Sequence, residues 1–135
     1  MSFIDWPGTL ATGHRVIDDE HRFLVGITNS LAAALEAGDG AGSVRQVVCD
    51  LLDYATEHFS HEESLMDRHR YPGVDGHKLE HSALLDAISR MLLDFENGRP
   101  ISADLMALLQ HWLSDHIGRI DKALALYLIA NASTE

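Results

Sequence analysis

Histidine is unusually frequent in this sequence, with nine among 135 residues, and several are paired at a spacing that suits metal binding. His58 and Glu62 are four residues apart, and so are His77 and His81. On an α-helix, residues four apart lie one above the other on the same face. Each pair could therefore bind one metal ion or two neighbouring ions through imidazole and carboxylate groups.

Three further residues extend this pattern to a first and a fourth predicted helix. His21 and His116 fall on the apolar stripes of those helices, and Asp121 follows five residues after His116. A lone core histidine is more often a satisfied hydrogen-bonding residue than a metal ligand. Four successive helices that each present a ligand on the inner face are not expected by chance, and they indicate a buried metal centre. The seven candidate ligands are His21, His58, Glu62, His77, His81, His116 and Asp121.

The step from His116 to Asp121 conflicts with a regular helix. Five residues turn an ideal α-helix through about 500°, which leaves the two side chains about 140° apart. Gly118 lies between them and would tolerate a local distortion. We therefore predict a π-like bulge or irregular hydrogen bonding near residues 116–121.

The elements that must position these residues follow from apolar repeats at three- and four-residue steps. Residues 1–16 are predicted to form an irregular arm. Four helices are predicted at about residues 18–37, 43–68, 75–96 and 102–130. The candidate N-caps are Asp18 or Asp19, Ser43, Asp75 and Ser102. The fourth helix is expected to turn one stripe inward, made of Leu105, Leu108, Trp112, His116 and Ile120.

Short connections between these helices force antiparallel neighbours. The predicted fold is therefore all-α, an antiparallel up-down-up-down four-helix bundle in which residues 1–135 form a single domain. A chain of this length buries enough surface on folding to need no disulfide.

Charge and cysteine content narrow the class of protein. The formal net charge is −11, which disfavours binding to nucleic acid or to anionic lipid. Cys49 is the single cysteine, so no disulfide can form within the chain, which is typical of a reducing compartment. We expect no signal peptide and no membrane span, and therefore a cytoplasmic location. The sequence identifies no protein partner.

The number and type of the candidate ligands favour two metal ions. Seven ligands exceed the four of a tetrahedral zinc site, and carboxylates bridge well between two irons. The usual carboxylate-rich di-iron bundles carry two Glu-x-x-His motifs. This sequence has no histidine three positions after any glutamate, which separates it from the ferritin-like oxidases.

The joint pattern resembles the hemerythrins, in particular their single-domain bacterial form, the bacteriohemerythrins. The resemblance covers nearly the whole chain and is carried by residues 17–21, 58–63, 77–81 and 112–122. It implies two non-haem irons joined by a bridging oxo or hydroxo group. It further implies three histidines on one iron, two on the other and two bridging carboxylates: His77, His81 and His116; His21 and His58; and Glu62 and Asp121.

In this arrangement one coordination position of the second iron stays open, and dioxygen would bind there. An apolar lining is expected to exclude solvent and slow oxidation. The candidate lining residues, which must also serve as core packing, are Leu24, Phe59, Trp112, Leu113 and Ile117.

The leading functional hypothesis is reversible oxygen binding for transport, storage or sensing, without catalysis and with no catalytic residue. The alternative is an enzyme, either a di-iron peroxidase or a scavenger of nitric oxide or oxygen, because the same open position would serve both. Steady-state turnover with peroxide or nitric oxide separates the two. Iron storage is a third hypothesis, but the sequence carries no sign of a shell or a translocation path.

Overall fold

Four helical rods, connected by the short segments 37–40, 69–73 and 97–102, make up the bundle. The computed structural model describes residues 3–6 and 10–131. The helices are α1 at Arg15–Glu36, α2 at Ala41–Arg68, α3 at Val74–Glu96, α4 at Ala103–Asp115 and α5 at Lys122–Asn131. A π-helical segment, His116–Asp121, joins α4 to α5, and these three elements form the fourth rod. The predicted all-α, up-down-up-down bundle is confirmed. In the described ranges, no helix combines the length and apolar character that a membrane crossing requires.

The first helix begins at Arg15, three residues before its predicted start. His14 is its N-cap, and the ring Nδ1 accepts a hydrogen bond from the backbone N–H of Ile17 at 3.3 Å. The irregular arm is therefore shorter than the predicted 1–16. Its positions 1, 2 and 7–9 lie outside the described residues.

The prediction of Asp18 or Asp19 as the N-cap of α1 is wrong. Asp18 lies in the first turn, where its carboxylate folds back over the arm. It accepts hydrogen bonds from the backbone N–H and the hydroxyl of Thr12, at 2.9 and 2.7 Å, and from the N–H of Gly13 at 3.2 Å. An acidic residue near a helix start can thus bind upstream N–H groups as well as those of its own helix, and local sequence does not distinguish the two.

Among the other caps, Ser102 is confirmed, and its hydroxyl accepts from a backbone N–H of the first turn of α4. The predicted caps Ser43 and Asp75 are wrong, because α2 and α3 begin earlier, after Gly40 and Gly73. Neither glycine has a side chain that could accept a capping hydrogen bond, so a search for side-chain caps placed the starts of α2 and α3 too late.

The predicted ligands lie in a polar layer between two apolar clusters. On α1, His21 stands between Ile17, which belongs to the smaller cluster, and Leu24, which belongs to the larger. The larger cluster fills the bundle toward the α1–α2 connection. The smaller cluster packs the opposite end: Ile17, Met66, Leu124, Ala125 and Leu128. The two clusters shield the polar layer from both ends of the bundle.

The inner face of α4 differs from the predicted stripe. Leu105 and Leu108 are 37% and 61% exposed, and Trp112 and Ile120 are half-buried. The structure buries the neighbouring stripe: Met106, Leu109 and Leu113. Both stripes are apolar and both have helical spacing, so periodicity alone does not select between them. The packing of α4 against the other rods makes the choice.

Candidate metal centre

His116 and Asp121 face the same point because hydrogen bonding changes between them. Residues His116–Asp121 form a π-helix flanked by ordinary α-helix. In π-helical bonding residue i pairs with residue i+5, so side chains five apart become neighbours. Nε2 of His116 lies 3.0 Å from Oδ1 of Asp121. The predicted irregularity near 116–121 is confirmed, and it makes the five-residue spacing workable.

The structure brings the seven predicted ligand residues together, and all of them are buried. Their side chains form two overlapping groups, in each of which the candidate ligand atoms lie within 4.8 Å of one another. The three-histidine group consists of Glu62, His77, His81, His116 and Asp121. The two-histidine group consists of His21, His58, Glu62 and Asp121. The two carboxylates belong to both groups, which is the placement that bridging between two metal ions requires.

Imidazole Nε2 atoms converge on these two carboxylates. Four of them approach the oxygens of Glu62 at 3.1–3.4 Å, from His21, His58, His77 and His81. Three approach the oxygens of Asp121 at 2.8–3.0 Å, from His21, His77 and His116. The side chains thus point their donor atoms at a shared interior volume.

Most of these approaches lack hydrogen-bond geometry. Within residues 3–6 and 10–131, nine buried side-chain nitrogen or oxygen atoms have no hydrogen-bond partner, and all nine belong to the seven predicted ligands. Both ring nitrogens of His21 and both oxygens of Glu62 are among them. Each unsatisfied buried polar group costs about 1–3 kcal/mol. Donor atoms that converge without bonding one another are arranged as metal ligands are, and the residues present fit a pair of metal ions.

In the metal-free chain the buried carboxylates hold protons on the histidines. Burial lowers the pKa of His58, but the carboxylates of Glu20 and Glu62 outweigh it and raise that pKa to about 10. Burial likewise lowers the pKa of His77, while Asp121 and Glu62 raise it to about 9. Burial raises the pKa of Glu62, but the surrounding histidines bring it well below its ordinary value. Protons and metal ions therefore compete for the same donor atoms.

The stability of the metal-free protein is expected to fall as the pH rises from about 6.5 to 10. His58 and His77 have pKa values in the folded protein above the ordinary 6.5. Their contribution to the free energy of unfolding is therefore complete below pH 6.5, and it is lost as the pH rises past about 9 for His77 and about 10 for His58. Glu62 and Asp121 have pKa values below the ordinary 4.5 and 3.8. Their contribution to the free energy of unfolding is therefore present above those pH values and lost in acid. Thermal melts of metal-free protein should give the highest Tm between pH 4.5 and 6.5.

A loss of about 2 kcal/mol on the alkaline side would lower Tm by about 6–10 °C in a domain of this size. The double variant His58→Gln, His77→Gln is the control, because the alkaline decrease should largely disappear in it. A Tm that increases between pH 6.5 and 9 in the metal-free wild type would contradict the assignment.

Three glutamates that sequence reasoning did not single out contact the ligand histidines from outside the centre. The Nδ1 atoms of three histidines lie 2.7–3.0 Å from these carboxylates, in the pairs His58 with Glu20, His81 with Glu63 and His116 with Glu80. The signal available in the sequence was adjacency, since each glutamate directly neighbours a predicted ligand.

The five candidate pocket residues all lie in or against the larger apolar cluster. The ring of Phe59 stacks on His81, with centroids 3.9 Å apart, and Trp112 stacks on His116 at 4.5 Å. Leu24, Leu113 and Ile117 are each about 1% exposed. Trp112 is only half-buried. Contact of these residues with a bound ligand stays a prediction.

Comparison with known proteins gives consistent matches along the chain. Residues 12–128 match the model of the hemerythrin HHE cation binding domain. The chain is 34% identical over 125 residues to a bacteriohemerythrin of Stenotrophomonas maltophilia, and the aligned region covers 93% of this chain and 81% of that protein. It is 28% identical over 117 residues to myohemerythrin-1 of Phascolopsis gouldii, and this alignment covers 86% of the chain and 87% of the myohemerythrin.

The fold comparison agrees with the sequence comparison. A solved crystal structure of wild-type hemerythrin superposes with a TM-score of 0.84 at 25% identity, covering 94% of this chain and 98% of that one. The matched range 12–128 contains all seven candidate ligands and the π-helical segment. On these grounds the chain belongs to the hemerythrin family.

Proposed function

We propose that this protein binds dioxygen reversibly at a di-iron centre in the bundle core, without catalysing a reaction. The observation that carries the proposal is the pair of overlapping ligand groups that share Glu62 and Asp121. Membership of the hemerythrin family and this histidine-rich cluster fit a di-iron oxygen-binding protein.

The proposed assignment follows the two groups. Glu62 and Asp121, which belong to both groups, would hold both irons, together with the oxo or hydroxo group that the resemblance to hemerythrins implies. The three-histidine group would give its iron one more protein ligand than the two-histidine group, so dioxygen would bind on the side of His21 and His58. When bound, the irons supply the position where dioxygen binds and from which it leaves. Five imidazoles with two carboxylates suit iron, and they outnumber the ligands of a tetrahedral zinc site.

The chain's own residues would keep solvent away from this position. Leu24, Phe59, Leu113 and Ile117 are almost fully buried and belong to the larger apolar cluster, which borders the polar layer on one side. An apolar enclosure excludes water and the protons that accompany it, and so disfavours irreversible oxidation. The stacked ring of Phe59 also restrains the plane of the His81 imidazole.

Binding is favoured over catalysis by what the neighbouring titratable groups do. The three glutamates that contact the centre from outside, Glu20, Glu63 and Glu80, each accept a hydrogen bond from a candidate ligand histidine. A carboxylate engaged in this way orients its histidine and is poorly placed to transfer protons to a substrate.

The test is an absorption titration of the iron-loaded protein from anaerobic to aerobic conditions, with iron counted per chain. We expect two irons per chain and a visible band that appears with oxygen and fades when oxygen is removed. Two irons with irreversible oxidation, together with steady-state turnover of peroxide or nitric oxide, would indicate the alternative, a di-iron peroxidase or scavenger. Absence of stoichiometric iron would overturn the metal assignment itself.

Dioxygen is the proposed binding partner, and no protein partner is proposed. The expected lack of binding to nucleic acid or membranes stays a prediction that rests on the net charge of −11. The cytoplasmic location also stays a prediction.

A further inference from the structure

Each of the three outer glutamates contacts a ligand histidine on the next helix of the chain. Glu20 on α1 lies 2.7 Å from Nδ1 of His58 on α2. The same step is repeated from α2 to α3, where Glu63 lies 2.9 Å from Nδ1 of His81. It is repeated again from α3 to the π-helical segment of the fourth rod, where Glu80 lies 3.0 Å from Nδ1 of His116. The contacts therefore run in one direction around the bundle.

Helix geometry explains why these glutamates directly neighbour predicted ligands. Consecutive residues on a helix point about 100° apart. When His21 points into the core, Glu20 consequently points sideways, toward the seam between α1 and α2. Glu80 precedes His81 in the same way, whereas Glu63 follows Glu62 on the antiparallel helix α2, and both also contact a histidine of the next rod. On each of these three helices, two adjacent residues thus provide one side chain to the centre and one to the boundary with the next rod.

The chemistry of these contacts determines which ring nitrogen faces the centre. An ionised carboxylate can only accept a hydrogen bond, so the ring Nδ1–H must donate. In a neutral imidazole the other nitrogen, Nε2, then carries the free lone pair. Nε2 of His58 and of His81 lies 3.2 and 3.1 Å from the oxygens of Glu62, and so faces the centre.

We propose that Glu20, Glu63 and Glu80 are positioning residues, each of which holds a metal-ligating histidine of the next helix in the Nδ1–H form with Nε2 aimed at the metal. The inference rests on the proposed di-iron function. It assigns positioning residues to both irons, since His58 belongs to the two-histidine group and the other two histidines to the three-histidine group.

The contacts are selective. Nδ1 of His21 and Nδ1 of His77 have no hydrogen-bond partner in the part of the chain that the structure describes. Glu20 is itself held on its outer side, where its second oxygen accepts from Nδ1 of half-exposed His61 at 2.8 Å. Three of the five ligand histidines are therefore held from behind by a half-buried carboxylate, and two are not.

The test replaces each positioning residue by its uncharged isostere in the full-length chain: Glu20→Gln, Glu63→Gln and Glu80→Gln. Ferrous iron affinity is measured anaerobically by competition with a coloured chelator. We expect each variant to bind iron about 10–100-fold more weakly, as is typical when such outer partners of ligand histidines are lost. The reduction potential of the loaded protein should also shift upward, because a carboxylate behind an imidazole makes that ligand a better donor to ferric iron.

The sequence offers a matched control. Glu57 directly precedes His58, as Glu20 precedes His21, but it is exposed and its described contacts include no ligand histidine. Glu57→Gln should leave both the iron affinity and the potential unchanged. Conservative variants such as Glu20→Asp keep the charge and should recover part of the affinity and potential lost in Glu20→Gln.

The outcomes separate this inference from the proposed function. Failure of the wild type to bind two irons would overturn the proposed function. Two irons in the wild type, with affinity and potential in all three glutamine variants equal to those of Glu57→Gln, would overturn the positioning role. If one glutamine variant does not fold, as judged by circular dichroism, the glutamine variants that do fold decide, because iron affinity and potential equal to those of Glu57→Gln in them would equally contradict the positioning role.

Discussion

Replacement of Glu62 by glutamine is expected to remove both metal ions from the protein. Glu62 belongs to both ligand groups, and four imidazole nitrogens lie 3.1–3.4 Å from its oxygens. Glutamine has nearly the same shape but no charge, and its amide nitrogen cannot ligate a cation. Iron per chain, measured after loading and desalting, should fall from about two to below about 0.5.

The shared position of Glu62 makes this prediction stronger than one for a ligand histidine. Loss of His58 would remove a ligand from the two-histidine group alone. His58→Ala should therefore reduce the iron content by about one per chain if the sites fill separately. Glu57→Gln, on the same helix but exposed, is the control and should retain two irons. Two irons in Glu62→Gln would exclude a bridging role for this carboxylate.

Removal of the metal is expected to lower the Tm of the wild type by about 12–20 °C near pH 8. Among the residues that the structure describes, nine buried polar side-chain atoms have no hydrogen-bond partner, and the centre holds two buried carboxylates side by side. A site loaded at about a thousand times its Kd stabilises the folded state by about 4 kcal/mol. In a domain of this length that corresponds to the stated change in Tm.

The measurement compares differential scanning calorimetry of iron-loaded and chelator-treated protein under anaerobic conditions. Glu62→Gln serves as the control, since iron should change its Tm by only a few degrees at most. Equal melting temperatures for the two forms of the wild type would contradict the idea that metal satisfies the buried donor atoms. The difference should narrow toward pH 6, because the stability that protonated His58 and His77 give the metal-free protein is complete below pH 6.5 and partly lost at pH 8.

The sequence alone determined the four helical rods, the seven residues that meet in the core and the π-helical segment. These features depend on local periodicity. Ligand types recurred on apolar stripes, and the five-residue step from His116 to Asp121 was incompatible with regular α-helix. The positions of these residues support the proposal that they bind iron, and the iron-loading experiments test it.

The tertiary structure decided the features that depend on which surfaces meet. It chose the stripe of Met106 and Leu109 over that of Leu105 and Leu108, because only packing distinguishes two adjacent apolar stripes. It turned Asp18 toward the arm and away from its own helix start.

The contact between Glu20 and His58, which are 38 residues apart in sequence, also exists only in the packed bundle. The reason is the same in each case. Periodicity fixes which side chains share a face of one helix, while the contacts of that face depend on the neighbouring rods.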